Sequence, residues 1–343
     1  MKRNMYQWVN EILASPERKA LPIVTYPGAD LTGGRIIDIV CNGKVQFECI
    51  KALSDKYPSA AAITIMDLSA EAETFGSPVK FSDHEAPTVT APIVTDKAAI
   101  EALQVPKAGL MRTEAYLKAA ELAAEKITDR PTLGGVIGPF SLAGRLFDVT
   151  QIMIAVRRDP EMIHTLMAKC TQYVTEYILE FKKAGANGVV MAEPTAGLLS
   201  PAMCKTFAFD YVKQIVDQVQ DENFIVVLHN CGHAVKQVPA MVETGSKVLH
   251  FGNAVDMMEI MPQIPADVVA CGNIDPSNVM RTGSTEMVRE KVSELLAKTA
   301  SYKTFVPSTG CDVPPGSPQA NVEEFFSALV DYNRAQATVA KEA

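Results

Sequence analysis

The chain alternates short, continuously apolar runs with longer amphipathic stretches. The apolar runs are rich in β-branched residues and too short for helices, which is typical of buried parallel strands. The eight runs predicted as strands are Leu21–Tyr26, Ala61–Met66, Leu133–Ile137, Gly188–Ala192, Phe224–Leu228, Val248–Phe251, Val268–Cys271 and Phe305–Val306.

Apolar residues at helical spacing predict helices between these runs. After an amphipathic N-terminal helix they lie at Gly43–Lys56, Lys97–Leu103, Thr113–Ile127, Asp159–Ala184, Pro201–Val219, Val235–Glu243 and Ser284–Ala300. Alternating strands and helices predict an α/β protein, a (β/α)8 TIM barrel with an N-terminal helical extension and an insertion after the second strand. We expect a single domain over residues 1–343, with the barrel at about 20–335. An open doubly wound sheet is the alternative fold.

Composition limits the classes of function. No apolar run reaches the roughly 18 residues of a membrane span, so we expect no membrane insertion. The formal net charge of −8 argues against nucleic acid as the main partner. Seven scattered cysteines, with no secretory signal, indicate reduced thiols and a cytoplasmic protein.

The strand ends carry the candidate chemistry. His229 and Cys231 follow the run Phe224–Leu228, and Cys311 lies just beyond the last run. Two thiolates and an imidazole suit Zn²⁺ better than other common ions, and three protein ligands leave one position open for a substrate. In a TIM barrel all strands end at the same mouth, so these side chains can converge there. The alternative is that the cysteines are packing residues.

Other polar residues also follow predicted strands. They are Asp67, Glu193, Asn253, Asn273, Asp275 and Asp312. Glu193 faces the strand that carries His229, so we consider it as a fourth zinc ligand or as a base that takes a thiol proton. The third interpretation is a structural carboxylate that hydrogen-bonds loop backbone.

Six motifs, in order along the chain, resemble the uroporphyrinogen decarboxylase superfamily and, within it, the methylcobalamin:coenzyme M methyltransferase branch. They lie at residues 67–76, 138–144, 192–201, 228–232, 272–276 and 310–315. The resemblance implies a TIM barrel, and it identifies His229, Cys231 and Cys311 as the zinc ligands of that branch. The decarboxylases carry an arginine-rich substrate loop near the N-terminus, whereas residues 25–35 contain one arginine, Arg35.

The resemblance implies a zinc-dependent methyltransferase. The methyl group would come from a methylated corrinoid on a partner protein and pass to a small thiol such as coenzyme M. Glu193 and Asp67 are then the expected catalytic residues, although Asp67 also matches the catalytic aspartate of the decarboxylases. We expect Phe140, Asn273 and Asp275, which lie in or beside the shared motifs, to bind the cofactor.

Two other functions stay open at this stage. One is a decarboxylase of a small or tetrapyrrole carboxylate, and the other is a non-catalytic protein that keeps the barrel and its metal. The sequence leaves the thiol unidentified and allows a monomer or a homodimer.

Overall fold

The sheet contains seven parallel strands that follow one another in chain order. This computed structural model describes residues 2–342, and the side chains of residues 2–338. The sheet strands are β1 (Ala62–Ile63), β4 (Thr132–Ile137), β5 (Gly188–Ala192), β6 (Ile225–Asn230), β7 (Val248–Phe251), β8 (Val269–Ile274) and β9 (Phe305–Thr309); β2 (Val79–Lys80) and β3 (Thr88–Val89) form a small antiparallel pair in the insertion. Sequential parallel strands with helices between them form the predicted TIM barrel.

Sixteen α-helices surround and extend the sheet in the described chain. They are α1 (Met5–Ala14), α2 (Gly28–Thr32), α3 (Ile36–Cys41), α4 (Gly43–Lys56), α5 (Ala70–Thr74), α6 (Lys97–Ala102), α7 (Thr113–Lys126), α8 (Pro139–Phe147), α9 (Val149–Arg158), α10 (Pro160–Lys183), α11 (Pro201–Cys204), α12 (Asp210–Val219), α13 (Val238–Glu243), α14 (Met257–Ile260), α15 (Thr285–Lys298) and α16 (Gln319–Glu342). The predicted helix over 201–219 is interrupted by a π-helical turn at Lys205–Phe209.

The first predicted strand, Leu21–Tyr26, is corrected by the structure to an extended segment. It still lies between the two ends of the sheet, because Leu21 N donates to Pro307 O at 3.1 Å and Ala60 N donates to Ala20 O at 2.8 Å. A regular ladder cannot form here, since Pro22 and Pro307 both lack an N–H donor. The segment therefore closes the barrel without the full bonding of an eighth strand.

The strand interiors are almost completely buried, as parallel strands covered on both faces should be. Two clusters divide the core. Val190, Val227 and Val269 pack inside with α1, and Val189, Val226 and Ala270 pack outward against the helices. This alternation leaves the carboxyl ends of the strands as the place where polar side chains collect.

No helix within the described residues is long and apolar enough to cross a membrane.

Candidate functional site

The predicted metal ligands meet at the carboxyl ends of β6 and β9. His229 is buried within β6, Cys231 follows that strand directly, and Cys311 lies two residues beyond β9. Both thiols are half-buried. Cys311 forms a side-chain hydrogen bond with Cys231 and interacts electrostatically with His229. The structure thus brings together the three residues that the sequence separates by up to 82 positions, from 229 to 311.

The two thiols have different pKa values. The hydrogen bond from Cys311 lowers the pKa of Cys231 to about 7, although burial acts in the opposite direction. The same bond, together with burial, raises the pKa of Cys311 to about 12. Cys231 is therefore the thiol of the pair that ionises first, and a thiolate is the form that binds metals.

A chain of hydrogen bonds fixes the orientation of His229. Its Nδ1 lies 2.8 Å from Nδ1 of His250, and Nε2 of His250 lies 2.7 Å from Oγ of Ser308. Ser308 has the carbonyl oxygen of Leu21 as an acceptor at 2.8 Å. Because Ser308 donates its single proton to Leu21 O, its oxygen must act as the acceptor toward His250. Nε2 of His250 therefore carries the proton of that hydrogen bond.

The direction of this chain sets the tautomer of His229. Burial, and then the neighbouring His229, hold the pKa of His250 well below its usual range, so His250 is neutral and carries one proton. Since this proton is on Nε2, Nδ1 of His250 is an acceptor, and Nδ1–H of His229 donates to it. Nε2 of His229 is then an unprotonated, buried nitrogen, and it has no hydrogen-bond partner within the described residues. A lone pair held in this way is the form of histidine that binds a metal.

The chemistry of this donor set suits zinc, but its present geometry is not a complete site. In the part of the chain that the structure describes, no group of three or more His, Cys, Asp or Glu side chains is arranged to hold a metal ion. The two thiols instead bond to each other, and Nε2 of His229 has no partner within the described residues. The unpartnered nitrogen and the two adjacent thiols are the donors that a Zn²⁺ ion would need.

Glu193 holds the start of α8. Its Oε1 accepts from Phe140 N at 2.7 Å, and its Oε2 accepts from Ser141 N at 3.0 Å and from Ser141 Oγ at 2.8 Å. A side chain at Gly138 would collide with Glu193, which explains the glycine before this helix. Burial raises the pKa of Glu193 to about 7, against the effect of these bonds. These bonds agree with the interpretation of Glu193 as a structural carboxylate that hydrogen-bonds loop backbone.

Asp67 is the centre of a buried polar cluster. Its Oδ1 accepts from Ser69 N at 2.8 Å, and its Oδ2 accepts from Tyr116 Oη at 2.6 Å and from the guanidinium of Arg112. Arg112 also binds Glu73 and lies over the ring of Phe81. Asp67 therefore anchors α7 to the end of β1.

The three expected cofactor residues lie in different environments. The ring of Phe140 is fully buried, so this residue contributes its backbone N–H rather than a surface for a ligand. Asn273 donates to the carbonyl oxygens of Gly252 and Val255 at 2.9 and 2.7 Å. Asp275 caps the turn that follows β8. Asn273 and Asp275 both line a cleft beside α15, which Asn253, Met257 and Lys298 also line.

His250 and Arg112 are not among the site residues expected from the sequence. His250 lies opposite His229 in the register of β6 and β7. A histidine within a predicted buried strand was a usable signal, because a buried imidazole needs hydrogen-bond partners. Arg112 gave no such signal, since it precedes a helix in a segment without periodicity.

Comparisons with known proteins agree with the fold. The family model for uroporphyrinogen decarboxylase (URO-D) matches residues 12–332. The methylcobamide:CoM methyltransferase MtbA of Methanosarcina acetivorans is 26% identical over 279 residues, which is 78% of this chain and 78% of that protein. A uroporphyrinogen decarboxylase of Legionella pneumophila is 26% identical over 306 residues, covering 86% of this chain and 85% of that protein.

A solved structure of a methyltransferase from Methanosarcina mazei has a TM-score of 0.85 and 20% sequence identity with this chain. The match covers 96% of this chain and 99% of that chain. At this identity the likeness shows a common fold. The two kinds of relative, methyltransferase and decarboxylase, are equally similar in sequence, so the site must distinguish between the two reactions.

Proposed function

We propose that this chain, which belongs to the uroporphyrinogen decarboxylase family, moves a methyl group from a methylated corrinoid to a small thiol. The observation that carries the proposal is the cluster of His229, Cys231 and Cys311, in which a buried Nε2 without a partner lies with two thiols. A decarboxylase has no need of two thiols and an imidazole at the mouth of its barrel. The MtbA relative supports the proposal, because its name specifies a methylcobamide and a thiol coenzyme.

His229, Cys231 and Cys311 would hold zinc in this proposal. Zinc would supply a Lewis acid that makes an incoming thiol ionise at neutral pH. A methylated corrinoid would supply the methyl group and keep the electron pair of its carbon–cobalt bond, and His229, Cys231 and Cys311 would hold the zinc beside which the ionised sulfur accepts the methyl group. We place the corrinoid on a partner protein that docks over the carboxyl ends of the strands, near Asn273 and Asp275.

Glu193 and Asp67 have structural tasks that the proposal takes into account. Both oxygens of each carboxylate accept hydrogen bonds from the protein. We therefore propose that Glu193 positions the start of α8 beside His229, and that Asp67 positions Arg112. The role of Glu193 as a proton acceptor stays a prediction. Its pKa of about 7 is suitable for that role.

The test combines metal content with methyl transfer. We expect about one zinc per chain, proton release when a thiol is added, and thiol-dependent loss of the methylcobalamin spectrum. Cys311→Ala should lose zinc and transfer while the fold is kept. Cys41→Ala, which removes an exposed thiol, is the matched control. Full zinc retention in Cys311→Ala, or a folded wild-type protein that never binds zinc, would contradict the proposal.

A further inference from the structure

The proposed ligand Cys311 lies outside the hydrogen-bonded ladder of the sheet. His229 belongs to β6 and Cys231 follows that strand directly, so strand pairing determines the position of both. Cys311 lies two residues beyond β9, outside any helix or strand. Its thiol nevertheless shares a hydrogen bond with Cys231. The contacts that hold residues 309–313 therefore determine whether the three proposed ligands meet.

Ile23 holds this stretch on both sides of Cys311. Its N–H donates to Oγ1 of Thr309 at 3.1 Å, and its carbonyl oxygen accepts from Val313 N at 3.0 Å. Thr309 precedes Cys311 by two residues, and Val313 follows it by two residues. The three bonded residues are each at most 1% exposed. Hydrogen bonds that are shielded from water are electrostatically stronger, so residue 23 firmly holds the backbone around Cys311.

Thr25 binds the residue next to Cys311. Its N–H donates to Oδ1 of Asp312 at 3.0 Å, and its hydroxyl donates to Oδ2 of the same carboxyl group. Thr25 is itself buried. A carboxyl group that is bound through both oxygens has a fixed orientation. Because Asp312 is adjacent in the chain to Cys311, the two bonds also limit where the sulfur of Cys311 can lie.

The same segment ends the hydrogen-bond chain of His229. Ser308 Oγ donates to the carbonyl oxygen of Leu21 at 2.8 Å, and Ser308 connects to His229 through His250. Residues 21–25, which we call the closing segment, therefore contact the surroundings of two of the three proposed ligands. One of these ligands belongs to β6 and the other to the stretch after β9.

We propose that the closing segment positions the zinc ligands, and that Thr25 is the positioning residue for Cys311. The inference rests on the proposed function, because it concerns the metal site of that reaction. Thr25 acts through Asp312 and touches neither the metal nor the substrate. Partners that orient a ligand from outside the coordination sphere typically change metal affinity by about 10- to 100-fold. Loss of the Thr25 hydroxyl should therefore weaken zinc binding although every ligand is retained.

The test replaces Thr25 in the full-length protein. Thr25→Val keeps the shape of the side chain but removes its hydroxyl. We expect its Kd for zinc, measured by competition with a chromogenic chelator, to rise about tenfold or more. Thr25→Ser keeps the hydroxyl and should stay within about twofold of the wild type. With Co²⁺ in place of zinc, Thr25→Val should also lose intensity in the thiolate-to-cobalt charge-transfer band, which reports the thiolates bound to the metal.

Gln319→Ala is the matched control for a general loosening of the closed barrel. Nε2 of Gln319 donates to the carbonyl oxygen of Pro27 at 2.7 Å, two residues beyond the closing segment. This variant should lower the free energy of unfolding, as Thr25→Val does, but leave the zinc affinity unchanged. Equal losses of zinc affinity in both variants would show that zinc binding follows stability alone. That result, or wild-type zinc affinity in Thr25→Val, overturns the inference.

A second variant covers the case in which Thr25→Val does not fold. Asp312→Asn replaces one of the two acceptor oxygens by an NH₂ donor and should raise the Kd for zinc in the same way. Wild-type zinc affinity in a folded Asp312→Asn protein would equally contradict the role of this contact.

A wild-type protein that binds no zinc would contradict the proposed function, and the metal-free protein then decides the inference. Treated with the thiol oxidant diamide, the wild type should form a disulfide between Cys231 and Cys311 several-fold faster than Thr25→Val, because Thr25 holds the second thiol beside the first. Peptide mass spectrometry identifies the bond. Equal rates in the two proteins would overturn the positioning role of Thr25.

Discussion

His229 shows how much of a functional side chain is determined by its neighbours. Its ring nitrogen Nδ1 is engaged by His250, which is held in turn by Ser308. This arrangement leaves Nε2 as a lone pair directed away from the chain of hydrogen bonds. A ligand whose tautomer is already correct loses less free energy when it binds a metal. His250 is therefore a positioning residue for the proposed zinc site.

Replacing His250 by Phe should weaken zinc binding by about 10- to 100-fold, because His229 loses the acceptor that fixes its tautomer. The zinc affinity is measured by competition with a chromogenic chelator. His164→Phe is the matched control, since His164 also shares a hydrogen bond at 2.7 Å, with Tyr211, but lies on α10. Zinc affinity within twofold of the wild type in His250→Phe would show that His229 does not depend on His250.

Short elements after the strands hold the site together. The helix α5 follows β1 and carries Glu71, which is completely buried and accepts from Ile137 N at 2.8 Å. The helix α8 follows β4, and its first turn donates to Glu193, which lies directly after β5. Each carboxylate thus connects one strand end to its neighbour, so the mouth of the barrel is held by buried acids. Burial of this kind makes stability depend on pH.

Burial raises the pKa of Glu71 to about 8 from an ordinary value of 4.5. The folded protein therefore holds this proton more tightly than the unfolded chain does. The stabilisation is complete below pH 4.5 and is lost as the pH rises to about 8. Over that range we expect the free energy of unfolding of the wild type to fall by up to about 1.4 kcal/mol per pH unit because of Glu71. Glu71→Gln should not show this fall.

The measurement is urea unfolding at several pH values between 4.5 and about 8, the ordinary and the raised pKa of Glu71. Glu125→Gln on the exposed side of α7 is the control for a change of net charge. If the curves of wild type and Glu71→Gln run parallel, Glu71 is not the group that titrates.

The sequence predicted the elements that follow simple periodicity and missed those that depend on tertiary contacts. The helix over Gly43–Lys56 and the strand over Gly188–Ala192 have the expected bounds. The segment from residue 21 does not form a strand because Pro22 and Pro307 lie on neighbouring segments and both lack an N–H donor. Only Pro22 is visible in the local sequence. The helices α5 and α8 were missed, since they are short and are buried on nearly all sides.

The same distinction applies to the candidate site. The spacing of His229 and Cys231 was visible in the sequence because both lie at the end of one strand. The partners of His229 were not, because His250 and Ser308 reach it only through the order of β6 to β9. The direction of a hydrogen bond between two imidazoles has no local sequence signal.

At the scale of the molecule, the proposed metal would connect distant parts of the chain. His229 and Cys311 belong to β6 and to the segment after β9, and Asp312 beside it binds Thr25 near the N-terminus. A ligand that binds the folded state alone stabilises every element that must be in place for binding. The single domain over residues 1–343 stays a prediction. Coupling of distant segments through one metal would favour it.

Zinc should therefore stabilise the entire protein. At a free zinc concentration about 100 times the Kd, the gain in the free energy of unfolding should be about 2.7 kcal/mol. A thermal-shift assay with zinc, with magnesium and with a chelator measures the effect. Cys231→Ser should abolish the zinc-dependent shift, and an equal shift with magnesium would point to nonspecific binding.

The closure of the barrel by residues 20–25 has a consequence for the order of synthesis. Ile23 N donates to Thr309 Oγ1, across a sequence separation of 286 residues. At about 5–20 residues per second, the ribosome needs on the order of 15–60 s to supply that partner. During this interval residues 20–25 lack their neighbour on the side of β9, and unpaired edges favour aggregation. The barrel thus closes, and the proposed metal site is complete, only after the ribosome has synthesised β9 and Cys311.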